Sequence, residues 1–100
     1  MKFRLSHKPG GLEEIRALED LAKKRGLEQR YADALKQIVR HLLTHPLEWG
    51  DPEYHLKHEG AVVCHRIVDL LVVRFAVYEI EEVVHIFEIK PVSSSPIGSP

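Results

Sequence analysis

Cysteine is almost missing from this chain, with Cys64 the single one in 100 residues. An internal disulfide is therefore excluded, and the usage fits a reducing compartment. Long apolar runs are missing as well. No wholly apolar run exceeds the four residues of Leu70–Val73, far short of the ~18 of a transmembrane helix, so no membrane span is expected. An excess of positive charge is also lacking: 14 Lys and Arg stand against 15 Asp and Glu, a formal net charge of −1. A uniformly basic coat for nucleic acid is thereby ruled out. The opening residues, Met1 to Lys8, have no apolar core of a secretory signal, which points to a cytoplasmic protein. A Gly-rich phosphate loop, paired catalytic carboxylates and a Ser-nucleophile motif are all absent, and no cofactor is expected.

What is present is periodicity. Lys2–Lys8 alternates loosely and then meets Pro9-Gly10-Gly11, which reads as a short strand and a turn. Leu12, Ile15, Leu18, Leu21 and Ala22 follow at helical spacing. Glu13 and Glu14 open that pattern and Lys23-Lys24-Arg25 close it before Gly26, so both ends suit a helix dipole and Gly26 suits the C′ position. Leu27, Tyr31, Leu35, Ile38, Val39 and Leu42 form a second stripe that must stop before Pro46. The two helices should make a hairpin with one apolar face. Residues 61–92 then hold three apolar runs, Ala61–Val68, Leu70–Tyr78 and Glu82–Val92, expected as an antiparallel meander.

The order strand, helix, helix, then three strands describes an α+β domain, β-α-α-β-β-β, with a small, largely antiparallel sheet packed on one face by the hairpin. That domain should occupy residues 1–92. Residues 93–100, rich in Ser and Pro, are expected to be a flexible tail. Between helices and meander, His45–Gly60 contains two prolines and two glycines and reads as a structured loop, with Trp49 as a plug beneath it. An exposed edge, either Lys2–Lys8 or the last strand, would offer pairing to a partner or to a second copy, hence a homodimer.

This order, the loop Trp49-Gly50-Asp51-Pro52, the hairpin edge Tyr78-Glu79-Ile80 and the closing Phe87-Glu88-Ile89-Lys90-Pro91 resemble the RelE/ParE superfamily of bacterial toxins from type II toxin–antitoxin, or plasmid stabilisation, systems. The resemblance spans the chain to about Val92. It implies a toxin that acts either on translation, by cleaving messenger RNA on the ribosome without a metal, or on gyrase, and that an antitoxin protein holds silent. Many members carry an arginine three residues before the tyrosine of the hairpin. Here that position is Phe75, with Arg74 one residue earlier and thus on the opposite sheet face.

Cleavage by 2′-hydroxyl attack needs a base, an acid and a cation beside the phosphate. If the Glu79–Glu82 turn pairs Tyr78 with Val83, Ala76 faces His85 and Arg74 faces Phe87, which gathers Arg74, Tyr78 and His85 on one face, with Arg66 or His65 joining according to register. The candidate catalytic residues are Arg74, His85 and Arg66, assisted by Tyr78 and Lys90. The same residues also suit a non-catalytic interaction module on this fold. A third reading is a histidine-based metal-binding protein: the seven histidines include His41 and His45, four apart on a helix, with His55 and His58 in the following loop. Leu42 stands where a metalloprotease helix would carry its general-base Glu. Cys64, inside an apolar strand, reads as a buried inert thiol.

Overall fold

The computed structural model describes residues 3–92. Five strands, β1 (Arg4–His7), β2 (Asp51–Leu56), β3 (Ala61–Val68), β4 (Leu71–Tyr78) and β5 (Val83–Pro91), lie in the spatial order β1-β5-β4-β3-β2. β1 runs parallel to β5 and every other pair is antiparallel. Helices α1 (Gly11–Lys24), α2 (Glu28–Thr44) and the single turn α3 (Pro46–Trp49) complete an α+β domain. No helix of the described residues is long and apolar enough to cross a membrane. The expected tail at 93–100 lies outside the described residues.

The break between α1 and α2 follows from Gly26. With φ of 71°, it takes the left-handed conformation that ends a helix at little cost for glycine. Leu27 N–H then donates to Ala22 O (2.8 Å) and Gly26 N–H to Lys23 O (3.2 Å), the two bonds of a Schellman cap. The returning α2 buries Tyr31, Ala34, Ile38 and Leu42. Tyr31 is 1% exposed, and its hydroxyl donates to Ile15 O on α1 at 2.9 Å, tying the hairpin together. Burial pushes the Tyr31 phenol up to about 12, with Glu19 adding to the shift. At the N-terminal end of α2, Arg30 clasps Asp69 in the β3–β4 turn with two bonds of 2.7 and 3.2 Å.

The main core lies between the helices and one sheet face, where Phe75, Val73, Val77, Leu71, Cys64 and Val84 meet Ile38, Leu42 and Ala22. Among the described residues, no helix lies on the other face. There Ala61, Val63 and Ala76 make a small second cluster, flanked by Leu56, Tyr78 and Phe87.

Three expectations need correction. First, 45–60 is not a loop throughout: α3 and β2 occupy most of it, and β2 pairs with β3 although nearly all of its residues are exposed. Second, the last strand is not an edge, because β1 closes it off; the edges are β1 and β2. Third, Arg74 faces Glu88 and not Phe87. Ala76 does oppose His85 and Tyr78 does oppose Val83, but a bulge between Arg74 and Phe75 in the β4–β5 register shifts the pairing beyond it by one residue.

Candidate functional site on the open sheet face

Directly opposed residues in a ladder share a face, so the register assigns sides. Tyr78, Ala76 and Arg74 of β4 stand on the open face with Ala61, Val63 and His65 of β3. On the β5 side they are joined by Val83, His85 and Glu88, and through the parallel pair by Arg4 and Ser6 of β1. Arg74, Tyr78 and His85 therefore do share one face, and His65, not Arg66, joins them from β3.

The face divides into two parts. A groove of about 490 Å3 is lined by Ser6, Leu56, Glu59, Tyr78, Glu81, Val83, His85 and Phe87. Within it, Ser6 Oγ lies 3.2 Å from His85 Nδ1, which leaves Nε2 of that ring for other chemistry. Phe87 meets the His85 ring edge-on at 5.5 Å. Tyr78 Oη donates to Glu59 at 3.3 Å. Burial raises the Tyr78 phenol and the nearby Glu59 and Glu81 charges reinforce the shift, so it remains a neutral donor at pH 7.

The second part is ionic. Arg74 Nε donates to Glu53 Oε2 at 3.0 Å. The same oxygen lies 3.6 Å from His65 Nδ1. Glu53 holds the Arg74 guanidinium still more firmly in its charged form. Lys90, opposite Val72, pairs with Glu88 at 3.6 Å. No family model matches the chain, and neither does any curated protein. The site must accordingly be read from its own geometry.

Arg66, a sequence candidate, stands on the helix side of β3, the register having set it opposite Val73. Its Nη1 donates to Trp49 O at 3.1 Å, and its guanidinium lies 5.6 Å from the Trp49 ring centroid. It is therefore kept from the Arg74–His85 face. Trp49 itself stacks on Phe75 at 6.1 Å and on His41 at 5.0 Å, the plug that the sequence suggested. Cys64 is fully buried, and burial, reinforced by Glu53 and Asp51, pushes its thiol up to about 11. It is an inert thiol at neutral pH.

The metal candidates do not converge. Among the described residues no group of three or more His, Cys, Asp or Glu side chains is arranged to hold a metal ion. His55 and His58 sit at the β2–β3 hairpin, where they line a shallow surface hollow with Lys57 and Glu59. His41 Nδ1 and His45 Nε2 instead face each other at 2.8 Å.

The tautomers of that pair follow from one proton. Thr44 Oγ1 donates its only hydrogen to Arg40 O at 2.8 Å, so its 2.8 Å contact with His45 Nδ1 requires an N–H on His45. In the uncharged form of His45, Nε2 then accepts, which makes His41 Nδ1 the donor. Burial, followed by His45, Arg40 and Arg66, lowers the His41 pKa, so the ring is neutral at pH 7. Long-range 15N–1H correlation spectra of the uncharged rings, taken at alkaline pH, should therefore show both carrying their proton on Nδ1, with Nε2 unprotonated. The opposite tautomer on either ring would break the chain of donors.

A feature missed in the sequence lies on α2. Ala32, Leu35, Val39 and Leu43 form a second stripe, one residue out of phase with the buried one, and remain only half-buried. They line a groove of about 530 Å3 with Glu19, Lys36 and Arg40 at its rim. The signal was present, since the apolar arc of α2 is wider than contact with one sheet requires.

Proposed function

We propose that this protein is a toxin-type protein resembling the RelE/ParE superfamily, one that binds and cleaves RNA on its open sheet face and is silenced by a partner helix. The observation that supports this reading is the company of Arg74, Tyr78 and His85 on a face that no helix of the described residues covers. None of the three is a core residue.

The residues have separate tasks. His85, with Nδ1 engaged by Ser6, offers Nε2 for proton transfer with a 2′-hydroxyl or a leaving oxygen. Tyr78 supplies a neutral hydrogen-bond donor in the same groove. Arg74 lies four residues from Tyr78 along β4, about 13 Å, and would hold a phosphate of a neighbouring nucleotide rather than the one being cleaved. Phe87 offers a ring for stacking a base. The apolar groove on α2 suits the apolar stripe of an amphipathic partner helix, and its rim carries both signs of charge, Glu19 and Glu28 with Lys36 and Arg40.

A second reading, a non-catalytic interaction module, draws support from the pairing of Arg74 with Glu53, which leaves that cation already matched. The two are separated by inducing expression in a bacterial host while following growth and mapping messenger RNA ends. Growth arrest with new, codon-phased ends is the expected outcome. Arg74→Ala and His85→Ala should each relieve the arrest while leaving the fold intact by circular dichroism. Arrest without new ends would move the target to gyrase, and normal growth with a folded, soluble product would favour the interaction module.

A further inference from the structure

From the edge strand, Glu53 reaches into the ionic part of the open face, where Asp51 also stands opposite His65 in the ladder. Its Oε2 receives Arg74 Nε–H at 3.0 Å but stops 3.6 Å short of His65 Nδ1. That nitrogen is shielded from solvent and has no hydrogen-bond partner among the described residues. When His65 carries its ring hydrogen on Nδ1, two nitrogen donors converge on one oxygen position, and a carboxylate tethered to β2 satisfies only one of them. A buried donor without a partner is costly, which makes an oxygen able to reach both nitrogens favourable there.

The tether is also weak. Glu53 is the residue at which the β2–β3 register shifts, between Pro52 and Tyr54, and β2 is an edge strand with five of its six residues exposed. Pro52 brings no N–H to the ladder. The Arg74 and Glu53 side chains retain 38% and 28% of their exposure, and ion pairs so open to water contribute little. A carboxylate on such a segment can move aside with small loss.

We infer that Arg74 and His65 form a phosphate subsite which the protein's own Glu53 carboxylate occupies in the unbound state, so that RNA must displace Glu53 to bind. The inference rests on the RNA reading above and adds to it a second ligand, His65, and an internal competitor. A phosphodiester oxygen, free of the backbone, settles between Nε of Arg74 and Nδ1 of His65, and the remaining N–H groups of the guanidinium fork meet the second oxygen.

The test is binding of an end-labelled single-stranded RNA oligonucleotide by fluorescence anisotropy at fixed ionic strength. Glu53→Gln keeps the shape of the side chain and removes the competing charge, and should bind about fivefold more tightly than the unaltered protein, the scale of one half-exposed charge pair. Glu88→Gln removes an equal charge from the same face but not from the subsite, so its gain should be smaller. Adding Arg74→Ala to Glu53→Gln should abolish the gain. Equal gains from Glu53→Gln and Glu88→Gln, or no gain from Glu53→Gln, would overturn the subsite. If the unaltered protein still arrests growth and generates RNA ends in that case, the proposed function survives and only Glu53 has been misread. If the protein neither binds RNA nor arrests growth, both readings fall.

Discussion

Gly50→Ala should lower stability by about 2–3 kcal/mol, on the order of 10 °C in Tm for a domain of this size. The loss does not come from backbone strain, since Gly50 has φ of −82° and ψ of 151°, an extended conformation open to any residue. It comes from space. A Cβ built there would lie 2.6 Å from Phe75 Cζ, 2.9 Å from Cys64 Cβ and 3.2 Å from Pro46 O. Two of these neighbours belong to fully buried side chains of the sheet and the third is backbone of α3, so none has room to retreat. Gly50 is where the chain leaves α3 and enters β2 directly over the sheet, an approach that only a hydrogen side chain allows. Thermal denaturation followed by circular dichroism gives the answer, and an unchanged Tm would mean that α3 can lift off the sheet.

Phe75→Ala should be more damaging, at about 3–5 kcal/mol. Phe75 is 0% exposed, occupies the centre of β4 and stacks against Trp49. Removing its ring leaves a cavity bounded by a rigid sheet and by α3, neither of which can collapse into it. Against a typical total of 5–15 kcal/mol, the loss is a large fraction of what holds such a domain together. Urea denaturation, with Trp49 fluorescence as the probe, should show a lowered midpoint, and the emission of the folded variant should shift to the red as the ring gains water. The two sites are coupled, because the Gly50→Ala clash is made with Phe75. Phe75→Leu in the Gly50→Ala background should therefore cost less than the sum of the single changes, by about 1 kcal/mol. Strict additivity would show that the clash is relieved elsewhere.

Phe75 also illustrates what the sequence could and could not tell. Its neighbours in β4 form an apolar run short enough to mark a strand, and the helices were legible from their stripes, from Gly26 and from the charges at their ends. β2 was not legible. Asp51–Leu56 has no alternation to read, because an edge strand that is exposed on almost every residue needs none. It is a strand only because the outer side of β3 offers it hydrogen bonds. Strand pairing near the β4–β5 turn could be counted from Tyr78 and Val83, but the count fails past the bulge, which no residue type announces.

The candidate site was legible to the same extent. Arg74 and Tyr78 share a face by alternation along β4, and His85 joins them once the turn pairs Tyr78 with Val83, whereas the choice between His65 and Arg66 awaited the tight turn at Asp69 and Leu70, which pairs Val68 with Leu71 and so fixes the parity of β3 against β4. Glu53 could not have been foreseen beside Arg74, since its own strand was unrecognised. The outer stripe of α2 was hidden for a different reason: its Leu35 and Val39 were read together with Tyr31, Ile38 and Leu42 as one apolar face, whereas the helix presents two.

The parallel pairing of β1 with β5 joins the two ends of the described fold. Ser6 and His85, which meet across it, are 79 residues apart in sequence. Contacts of such separation form slowly, because a long loop must close before they repay it. During synthesis the helical hairpin can fold on its own local contacts, but β4 has only one neighbour until β5 has left the ribosome, and β1 has none. The open face is thus completed by the strand that carries His85, so a nascent chain holds no assembled groove until β5 has emerged.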